Sequence, residues 1–562
     1  MRRAAAALLG LVLLASTPLA AAPPAVGDVN GDGSVDVLDV FALVNFLFAG
    51  GPAPVGSGDV DGDGAVTVAD VFYFINFLFA GGPPPVASGW LDGWPTFAHD
   101  PAHTGRAPVA GQALASVHWS TPVDLASGTT QTHYGSPLIT QDGNVVVTVK
   151  TGATDGFRVE GREPTGGSLI WQEPLDYALP PHNWIPVCQP TLTPENVLVM
   201  PASGGTVLRR ASADAASSTL QRLAFYGLSE YESAAATYDG LVKINTPIVS
   251  DRRGNLYFGF VTLGATPANL TSGIARLGAG GGGTWTPVTA AANDAAMRQV
   301  VTNCAPALSA DGNALYVAVR NGSSRGYLLR LDAGTLAPLS RVSLVDPKSG
   351  VLASLRDDGT SSPTVGPDGD VYCGVLENPT GFNHYRGWLL HFDAALATTK
   401  TPAEFGWDTT AAIVPASAVP SYAGSSSYLL FTKYNDYASV GGSGINRIAV
   451  LDPSETAVGP VTGATVMKEV LAIADPTPDP DEPGAVYEWC INAAAVDVAA
   501  KCVYANAEDG YLYRWDLATN TLSQAIQLSG GFFQAYTPTV VGKDGTVYAI
   551  QGGVLFAVGS AP

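Results

Sequence analysis

Ser362–Val375 reads SPTVGPDGDVYCGV, and four other stretches of the chain follow the same order of residue types. Each starts with Ser, Thr or Ala followed by Pro, continues through a short apolar run to a turn that contains Gly, and ends in a run rich in Val, Tyr or Phe. This order predicts a β-hairpin, because β-branched and aromatic residues favour strands and Gly permits the tight turn. The other stretches are Ser136–Val149, Thr246–Phe260, Ala305–Val319 and Thr537–Ile550.

Weaker copies of this unit lie at Gln189–Met200, Pro415–Thr432 and Ile491–Asn506. A third strand with a Leu-Asp or Trp-Asp end often follows the hairpin, as in Leu389–Asp393. Four-stranded units repeated along a chain are typical of β-propeller blades, since one blade cannot bury both of its faces and a closed ring can. We therefore expect a mainly β fold of about eight blades, with seven as the alternative.

The last unit, Thr537–Gly559, has room for only three strands. We expect Ser116–Val123 (SVHWSTPV), at the start of the domain, to supply the fourth strand. A strand from the beginning of the domain would then close the ring and leave no free sheet edge.

Together with these repeats, the opening segment Trp94–Pro108 (WPTFAHDPAHTGRAP) resembles the quinoprotein-like β-propellers. That superfamily includes pyrroloquinoline quinone dehydrogenases and binding propellers without a cofactor. The commonest dehydrogenases would need two adjacent cysteines, and the five here (Cys188, Cys304, Cys373, Cys490 and Cys502) are all separated. No quinone is therefore expected. Cys490 and Cys502 flank a predicted hairpin, and a disulfide between them and buried free thiols remain alternatives.

A second repeat lies nearer the N-terminus, where Gly27–Pro54 (GDVNGDGSVDVLDVFALVNFLFAGGPAP) and Gly58–Pro85 (GDVDGDGAVTVADVFYFINFLFAGGPPP) match without gaps. Each copy opens with an acidic loop that has Gly at position 6 and oxygen donors at positions 1, 3, 5, 7, 9 and 12, which is the pattern of a calcium loop. Two calcium ions are therefore expected. Their ligands are Asp28, Asn30, Asp32, Ser34, Asp36 and Asp39 in the first loop, and Asp59, Asp61, Asp63, Ala65 (through its carbonyl), Thr67 and Asp70 in the second.

Each copy is a loop followed by an apolar helix, with no helix before the loop and with Asp at position 12. This arrangement resembles the type I dockerin, which docks proteins onto cohesins in extracellular polysaccharide breakdown. Where dockerins often carry a hydroxyl pair, this chain has Val37–Leu38 and Val68–Ala69, so the expected partner is a cohesin-like or another extracellular protein. The expected partner-binding residues are Val37, Leu38, Phe41, Val44, Asn45, Val68, Ala69, Phe72, Ile75 and Asn76.

The sequence divides into four predicted parts. Residues 1–22 have two arginines, an apolar run and small residues, as in a signal peptide. Residues 23–85 form the calcium module, 86–93 a linker, and 94–562 the propeller.

The expected location is extracellular, with the cell surface and the periplasm as alternatives. No later apolar run is long enough for a membrane span. The net charge of −21 argues against nucleic acid as a partner.

No catalytic motif stands out, and catalysis is left open. The loop carboxylates Asp357, Asp358, Glu488, Glu508 and Asp509 fit solvated turns as well as glycoside chemistry. Propeller ligands bind in loops at the mouth of the ring, where aromatic and polar side chains suit a polysaccharide or a peptide and also suit packing. The mouth candidates are His133, Tyr134, His182, Trp184, His384, Tyr385, Tyr487 and Trp489. We expect a docked propeller that presents a recognition surface, with a glycoside hydrolase or lyase as the alternative.

Overall fold

A computed structural model describes residues 27–54, 58–61, 66–82, 85, 90–128, 130–357, 361–530 and 538–561. The predicted signal peptide, the linker residues 86–89, and the predicted ligands Asp63 and Ala65 lie outside these ranges. The described chain forms two compact units, one before residue 89 and a larger one after it, and each is considered by itself. No described helix is both long and apolar enough to cross a bilayer.

The larger unit is a propeller of eight antiparallel sheets, so the prediction of eight blades is confirmed and seven is excluded. We number the blades 1 to 8 along the chain. Blade 1 contains the strands Leu138–Ile139, Val145–Lys150, Phe157–Arg162 and Leu169–Leu175, and blade 2 contains Thr191–Leu192, Leu198–Pro201, Val207–Arg210 and Leu220–Leu223. Blade 3 contains Val249–Ser250, Leu256–Thr262, Gly273–Leu277 and Gly283–Pro287, and blade 4 contains Ala307–Leu308, Ala314–Asn321, Gly326–Asp332 and Pro338–Ser343. Additional edge strands, Val242–Ile244 and Met297–Val300, pair with the second strands of blades 3 and 4.

Blade 5 contains the strands Thr364–Val365, Val371–Val375 and Trp388–Phe392, and blade 6 contains Ala412–Pro415, Tyr428–Lys433, Arg447–Val458 and Thr465–Ala474. Blade 7 contains Ala495–Asp497, Cys502–Asn506, Tyr511–Asp516 and Thr521–Gln527, and blade 8 contains Val540–Val541, Val547–Gln551, Val554–Gly559 and Ser116–Pro122. Short helices lie in the connections, at Leu228–Ser233, Ala235–Leu241 and Val288–Ala291, with 3₁₀ turns at Ser203–Gly205, Ala416–Ala418 and Ala438–Val440.

Burial shows which strand faces the axis of the ring. The second strand Tyr428–Lys433 is buried at every position, because both faces of the sheet pack against neighbouring blades. The fourth strand Thr521–Gln527 alternates between exposed and half-buried side chains, as a strand at the rim must. The first strand of each blade therefore lies near the axis and the fourth at the outside.

The ring closes as the sequence predicts. The strand Ser116–Pro122 pairs antiparallel with Val554–Gly559, with Ser116 opposite Gly559 and Pro122 opposite Val554. The paired strand is one residue shorter than the predicted Ser116–Val123, although the Val123 amide still donates to the Gly553 carbonyl (2.8 Å). Blade 8 thus combines the first and the last strand of the propeller.

Residues Trp94–Gly105, which we call the axial segment, run across the first strands of most blades. The carbonyls of Pro95, Pro101, Ala102, Thr104 and Gly105 accept hydrogen bonds of 2.8–2.9 Å from Leu192, Leu308, Val365, Ile413 and Val496. These donors belong to blades 2, 4, 5, 6 and 7, and Trp94 bridges to Ile139 of blade 1. A segment that bonds to six blades lies on the axis, and it occupies the end where the first strands finish. The opposite end is the mouth.

The smaller unit contains two helices, α1 (Val37–Ala49) and α2 (Val68–Ala80). Each begins at a capping box, with Asp36 or Thr67 as the N-cap residue. Each ends at a Gly with left-handed backbone (Gly50, φ 67°; Gly81, φ 70°), a conformation that Gly adopts without strain.

The core of this unit uses equivalent positions of the two copies: Val29, Val40 and Leu43 from the first, and Val60, Val71 and Phe74 from the second. Burial of a side chain of this size contributes about 1.5–3 kcal/mol to folding. The two copies of the repeat therefore contribute equivalent positions to one core.

Candidate functional sites: the paired loops and the propeller mouth

The first loop wraps its backbone around two aspartates. The Asp28 carboxylate accepts hydrogen bonds from the amides of Gly31 (2.8 Å), Asp32 (3.1 Å) and Gly33 (3.0 Å). The Asp39 carboxylate accepts from Val29 (2.7 Å) and from Asn30 and Asp36 as well. These bonds fold the backbone of the loop around Asp28 and Asp39, the residues at its positions 1 and 12.

The second loop repeats this geometry where it is described. Asp70 accepts from the amides of Val60 (2.8 Å), Asp61 (3.2 Å) and Thr67 (2.7 Å). Carboxylate oxygens of Asp59, Asp61 and Asp70 lie within 4.8 Å of one another. Oxygen donors at this spacing fit a calcium ion, with Asp63 and Ala65 lying outside the described residues.

Both helices expose an apolar face. Phe41 is 63% exposed and its counterpart Phe72 is 67% exposed, while the buried positions of each helix form the core. All ten predicted partner-binding residues are exposed: Val37, Leu38, Phe41, Val44, Asn45, Val68, Ala69, Phe72, Ile75 and Asn76. An exposed apolar surface of this size is typical of a protein interface.

Residues 26–79 match the Dockerin type I domain. The dockerin module thus covers both calcium loops and nearly all of both helices. Dockerin domains of this type bind calcium and bind a protein partner, and the oxygen donors of the two loops fit that ion. The comparison with curated proteins found no match.

Among solved structures, the propeller resembles a europium-containing methanol dehydrogenase, with a TM-score of 0.52 and 9% identity over 81% of this chain and 88% of that one. The computationally designed protein Ika8 (TM-score 0.41, 14% identity, 80% of this chain and 100% of that one) and Saccharomyces cerevisiae Sqt1 (0.44, 12%, 81% and 100%) also match. At 9% identity the likeness to the methanol dehydrogenase is one of fold alone, and it agrees with the β-propeller described above.

The predicted mouth residues of blades 1 and 2 are held in internal contacts. His133 is 2% exposed, and its ring lies 5.5 Å from that of Trp184. The Tyr134 hydroxyl donates to Asp124 (3.1 Å), which also binds Lys150. His182 hydrogen-bonds the Pro180 carbonyl through Nδ1 (2.7 Å). The side chains at this part of the mouth are therefore packed against one another and against the backbone.

The other predicted mouth residues differ in exposure. Tyr385 is 39% exposed, and its neighbour His384 contacts Asp436 (2.7 Å). Tyr487 is half-buried, and Trp489 is fully buried against Tyr513. Trp489 therefore packs blade 7 and presents no surface to a ligand.

Charged groups gather between the mouth ends of blades 6 and 7. Asp408 precedes the first strand of blade 6, and Lys433 ends its second strand. Glu488 and Cys490 precede the first strand of blade 7, and Glu508 follows its second strand. One donor atom from each of Glu488, Cys490 and Glu508 lies within 4.8 Å of the others. We call these three residues the mouth cluster.

Burial dominates the electrostatics of the mouth cluster. It raises the pKa of Glu488, and the neighbouring Glu508 raises it further. It likewise raises the pKa of Glu508 and takes that of the Cys490 thiol well above its usual value. Burial opposes the charge of Lys433, but the Asp408 carboxylate at 2.7 Å raises its pKa on balance.

Sequence reasoning noted Glu488 and Glu508 and missed Lys433, Cys490 and Asp408 as their neighbours. One signal was available, since Lys433 ends a strand (YLLFTK) that is otherwise apolar or uncharged, and a buried lysine needs an anionic partner. All five cysteines are buried and free, so Cys490 and Cys502 do not form a disulfide. Asp357 forms an ion pair with Arg320, and Asp358 lies outside the described residues.

Proposed function

We propose that this protein is an extracellular, calcium-dependent docking protein whose dockerin module attaches a recognition propeller to a cohesin-like partner. The observation that carries the proposal is the apolar face exposed on both helices, next to two loops built from oxygen donors. Calcium neutralises the loop carboxylates, which would otherwise repel one another, and so holds the helices in register. The setting we propose is the degradation of extracellular polysaccharide, since dockerins resembling this module act there.

The equivalence of the two copies leads to a specific expectation about docking. Phe41 and Phe72 occupy the same position of the repeat and have nearly the same exposure. A partner is therefore able to bind in either of two orientations related by the approximate two-fold axis. Loss of one copy then removes half of the binding modes and leaves the other half intact.

The test is binding of the purified protein to a panel of cohesin modules, in calcium and in chelator. We expect calcium-dependent binding to at least one module. Phe41→Ala and Phe72→Ala should each weaken binding by about two-fold, whereas the double variant should weaken it by about a hundred-fold, as loss of two buried aromatic anchors does. Leu220→Ala, which truncates an exposed apolar residue of the propeller, is the matched control. Binding that survives the double variant or the chelator would contradict the proposal.

The proposed role of the propeller is to present a ligand-recognition surface at its mouth for a polysaccharide or a peptide. The alternative, a glycoside hydrolase or lyase, would need two carboxylates on either side of a sugar ring. Glu488 and Glu508 converge, but Glu508 is 8% exposed and the Cys490 sulfur shares the same small space. This burial favours binding over glycoside cleavage. Release of reducing sugar from purified polysaccharides by the protein, and its loss in Glu508→Gln, would reverse that preference.

A further inference from the structure

The mouth cluster combines two carboxylates and a thiol from two different loops. Glu488 and Cys490 lie on the loop before the first strand of blade 7, and Glu508 lies on the loop after the second. The Glu508 amide donates to the Glu488 carbonyl (3.1 Å), which ties the loops together. Asn435 exchanges hydrogen bonds with the backbone of Trp489 and anchors the first loop to blade 6. The three donor atoms are therefore held together by the backbone.

The charges around the cluster balance only if the two carboxyl groups keep protons or a further cation binds. Lys433 is completely buried, and its ammonium is already paired with Asp408 at 2.7 Å. Glu488 and Glu508 thus bring two acidic groups into a buried site whose lysine has its own partner. Buried carboxylates without compensation are costly, and such groups either share protons or bind a metal ion.

A second observation points to a missing ligand beside the cluster. The Lys433 ammonium has three N–H donors, and the one oxygen that it contacts among the described residues is that of Asp408 (2.7 Å). Its charge acts on Glu488, Glu508 and Cys490, so it lies close to the cluster. A buried ammonium with three donors calls for acceptors besides Asp408, and a water bound to a metal ion in the cluster would be one.

The donor types decide which ion fits. Calcium binds oxygen ligands and would leave the sulfur of Cys490 unused. Zinc and similar divalent transition metals accept thiolate together with carboxylate, and with three protein ligands they keep a fourth position for water. We propose that Glu488, Cys490 and Glu508 bind a divalent transition-metal ion of the zinc class, with Lys433 directed at its open position. On binding, Cys490 loses its thiol proton and any shared carboxyl proton also leaves to solvent.

Cobalt(II) is a suitable probe, because a cobalt–thiolate bond produces charge-transfer absorption in the near ultraviolet that oxygen ligands do not. The titration uses the full-length protein saturated with calcium, so the dockerin loops, which hold only oxygen donors, do not contribute to the band. We expect the band to develop to one equivalent of cobalt and to disappear on addition of zinc. Glu508→Gln should weaken cobalt binding by about ten-fold or more.

Cys490→Ser should abolish the charge-transfer band, whereas Cys502→Ser, which alters another buried thiol, should leave it unchanged. Melting curves establish that each variant is folded. If Cys490→Ser does not fold, metal analysis of the wild-type protein and of Glu488→Gln after dialysis against zinc decides the question, with one calcium-independent zinc ion expected only in the wild type. No charge-transfer band, or a band that persists in Cys490→Ser, would overturn the proposal. Because none of these measurements depends on docking, failure here is separate from failure of the proposed function.

Discussion

Asp39 and Asp70 perform two tasks at the scale of single residues. Each is the third residue of its helix and accepts the hydrogen bond of the capping box from the N-cap amide. Each is also position 12 of its calcium loop and accepts two amides from the other end of that loop. The short Asp side chain thus joins the ion site to the start of the helix.

Replacing Asp39 and Asp70 together by Asn should abolish most of the stabilisation by calcium. At a free calcium concentration of about 100 times the dissociation constant, each occupied site adds about 2.7 kcal/mol to the free energy of unfolding. The measurement is the difference in melting temperature between calcium and chelator, which cancels any loss of helix capping. Asp142→Asn, an exposed turn carboxylate of blade 1, should keep the full difference. An unchanged difference in the double variant would refute the ligand assignment.

His103 of the axial segment predicts how the propeller responds to acid. Its Nδ1 donates to the Pro363 carbonyl (2.7 Å) and its Nε2 is buried without a hydrogen-bond partner among the described residues. Burial lowers the pKa of His103 from 6.5 to about 4, against the smaller opposing effects of the Pro363 carbonyl and Asp100. The folded protein therefore keeps this imidazole neutral where the unfolded chain takes up a proton.

The free energy of unfolding should accordingly fall as the pH decreases from 6.5 to about 4, by an amount on the order of 3 kcal/mol from His103 alone. Above pH 6.5 this contribution is complete. His103→Gln should make denaturant unfolding less dependent on pH in this window, and His118→Gln, at an exposed position of the rim, serves as the control. Equal pH dependence in wild type and His103→Gln would show that another group governs acid sensitivity.

At the scale of elements, the axial segment replaces the packing that the centre of the ring would otherwise lack. Its backbone hydrogen bonds continue the first strands of six blades inward, so the segment behaves as an extra strand that these blades share. Gly105 shows how close this contact is. Its φ is +65°, and a Cβ there would lie 2.8 Å from the Ala494 carbonyl oxygen and 2.9 Å from the Ala412 Cβ.

Gly105→Ala should therefore destabilise the propeller by about 2–4 kcal/mol, through backbone strain and overpacking between blades 6 and 7. The matched control is Gly312→Ala, since Gly312 has nearly the same φ (+67°) and open space where its Cβ would lie. The control variant should lower the free energy of unfolding by about 1 kcal/mol, because it introduces a side chain into left-handed backbone and no clash. If denaturant unfolding shows the same loss of stability for both variants, the close contact of Gly105 with the blades contributes little to the destabilisation.

At the scale of the whole molecule, closure through blade 8 links the two ends of the propeller. The strand Ser116–Pro122 covers the edge of Val554–Gly559, and without it this edge would present unpaired amides and carbonyls. No other pairing covers this edge in the described sheets, so the stability of the ring depends on this contact.

Deletion of residues 116–122 should open the ring, and the product should unfold at lower temperature or associate through the exposed edge. Size-exclusion chromatography with light scattering and thermal melting measure both results. Deletion of residues 27–85, which removes the dockerin module and leaves blade 8 intact, is the control and should keep the propeller monomeric. A monomeric protein with unchanged melting after deletion of the closing strand would show that the closure is dispensable.

Local patterns in the sequence determined the loops, the helices and the blades. The loop aspartates, the capping residues and the hairpin turns lie within a few positions of the groups they bind, so neighbouring residues encode them. The closing strand was also predictable, because the last unit had room for only three strands and Ser116–Val123 lay unassigned at the start of the domain. Phe41 and Phe72 have similar exposure because they occupy the same position of the repeat. Which positions of each helix are buried was not evident from the sequence, because both helices are apolar nearly all round.

Only the tertiary structure brought together residues far apart in the chain. The mouth cluster joins Glu488, Cys490 and Glu508 next to Lys433, because the ring places the loops of blades 6 and 7 side by side. The burial of Trp489 and the path of the axial segment have the same origin. Sequence specifies each strand through contacts between near neighbours. The packing of eight blades in a closed ring decides which loops meet and which side chains lose contact with water.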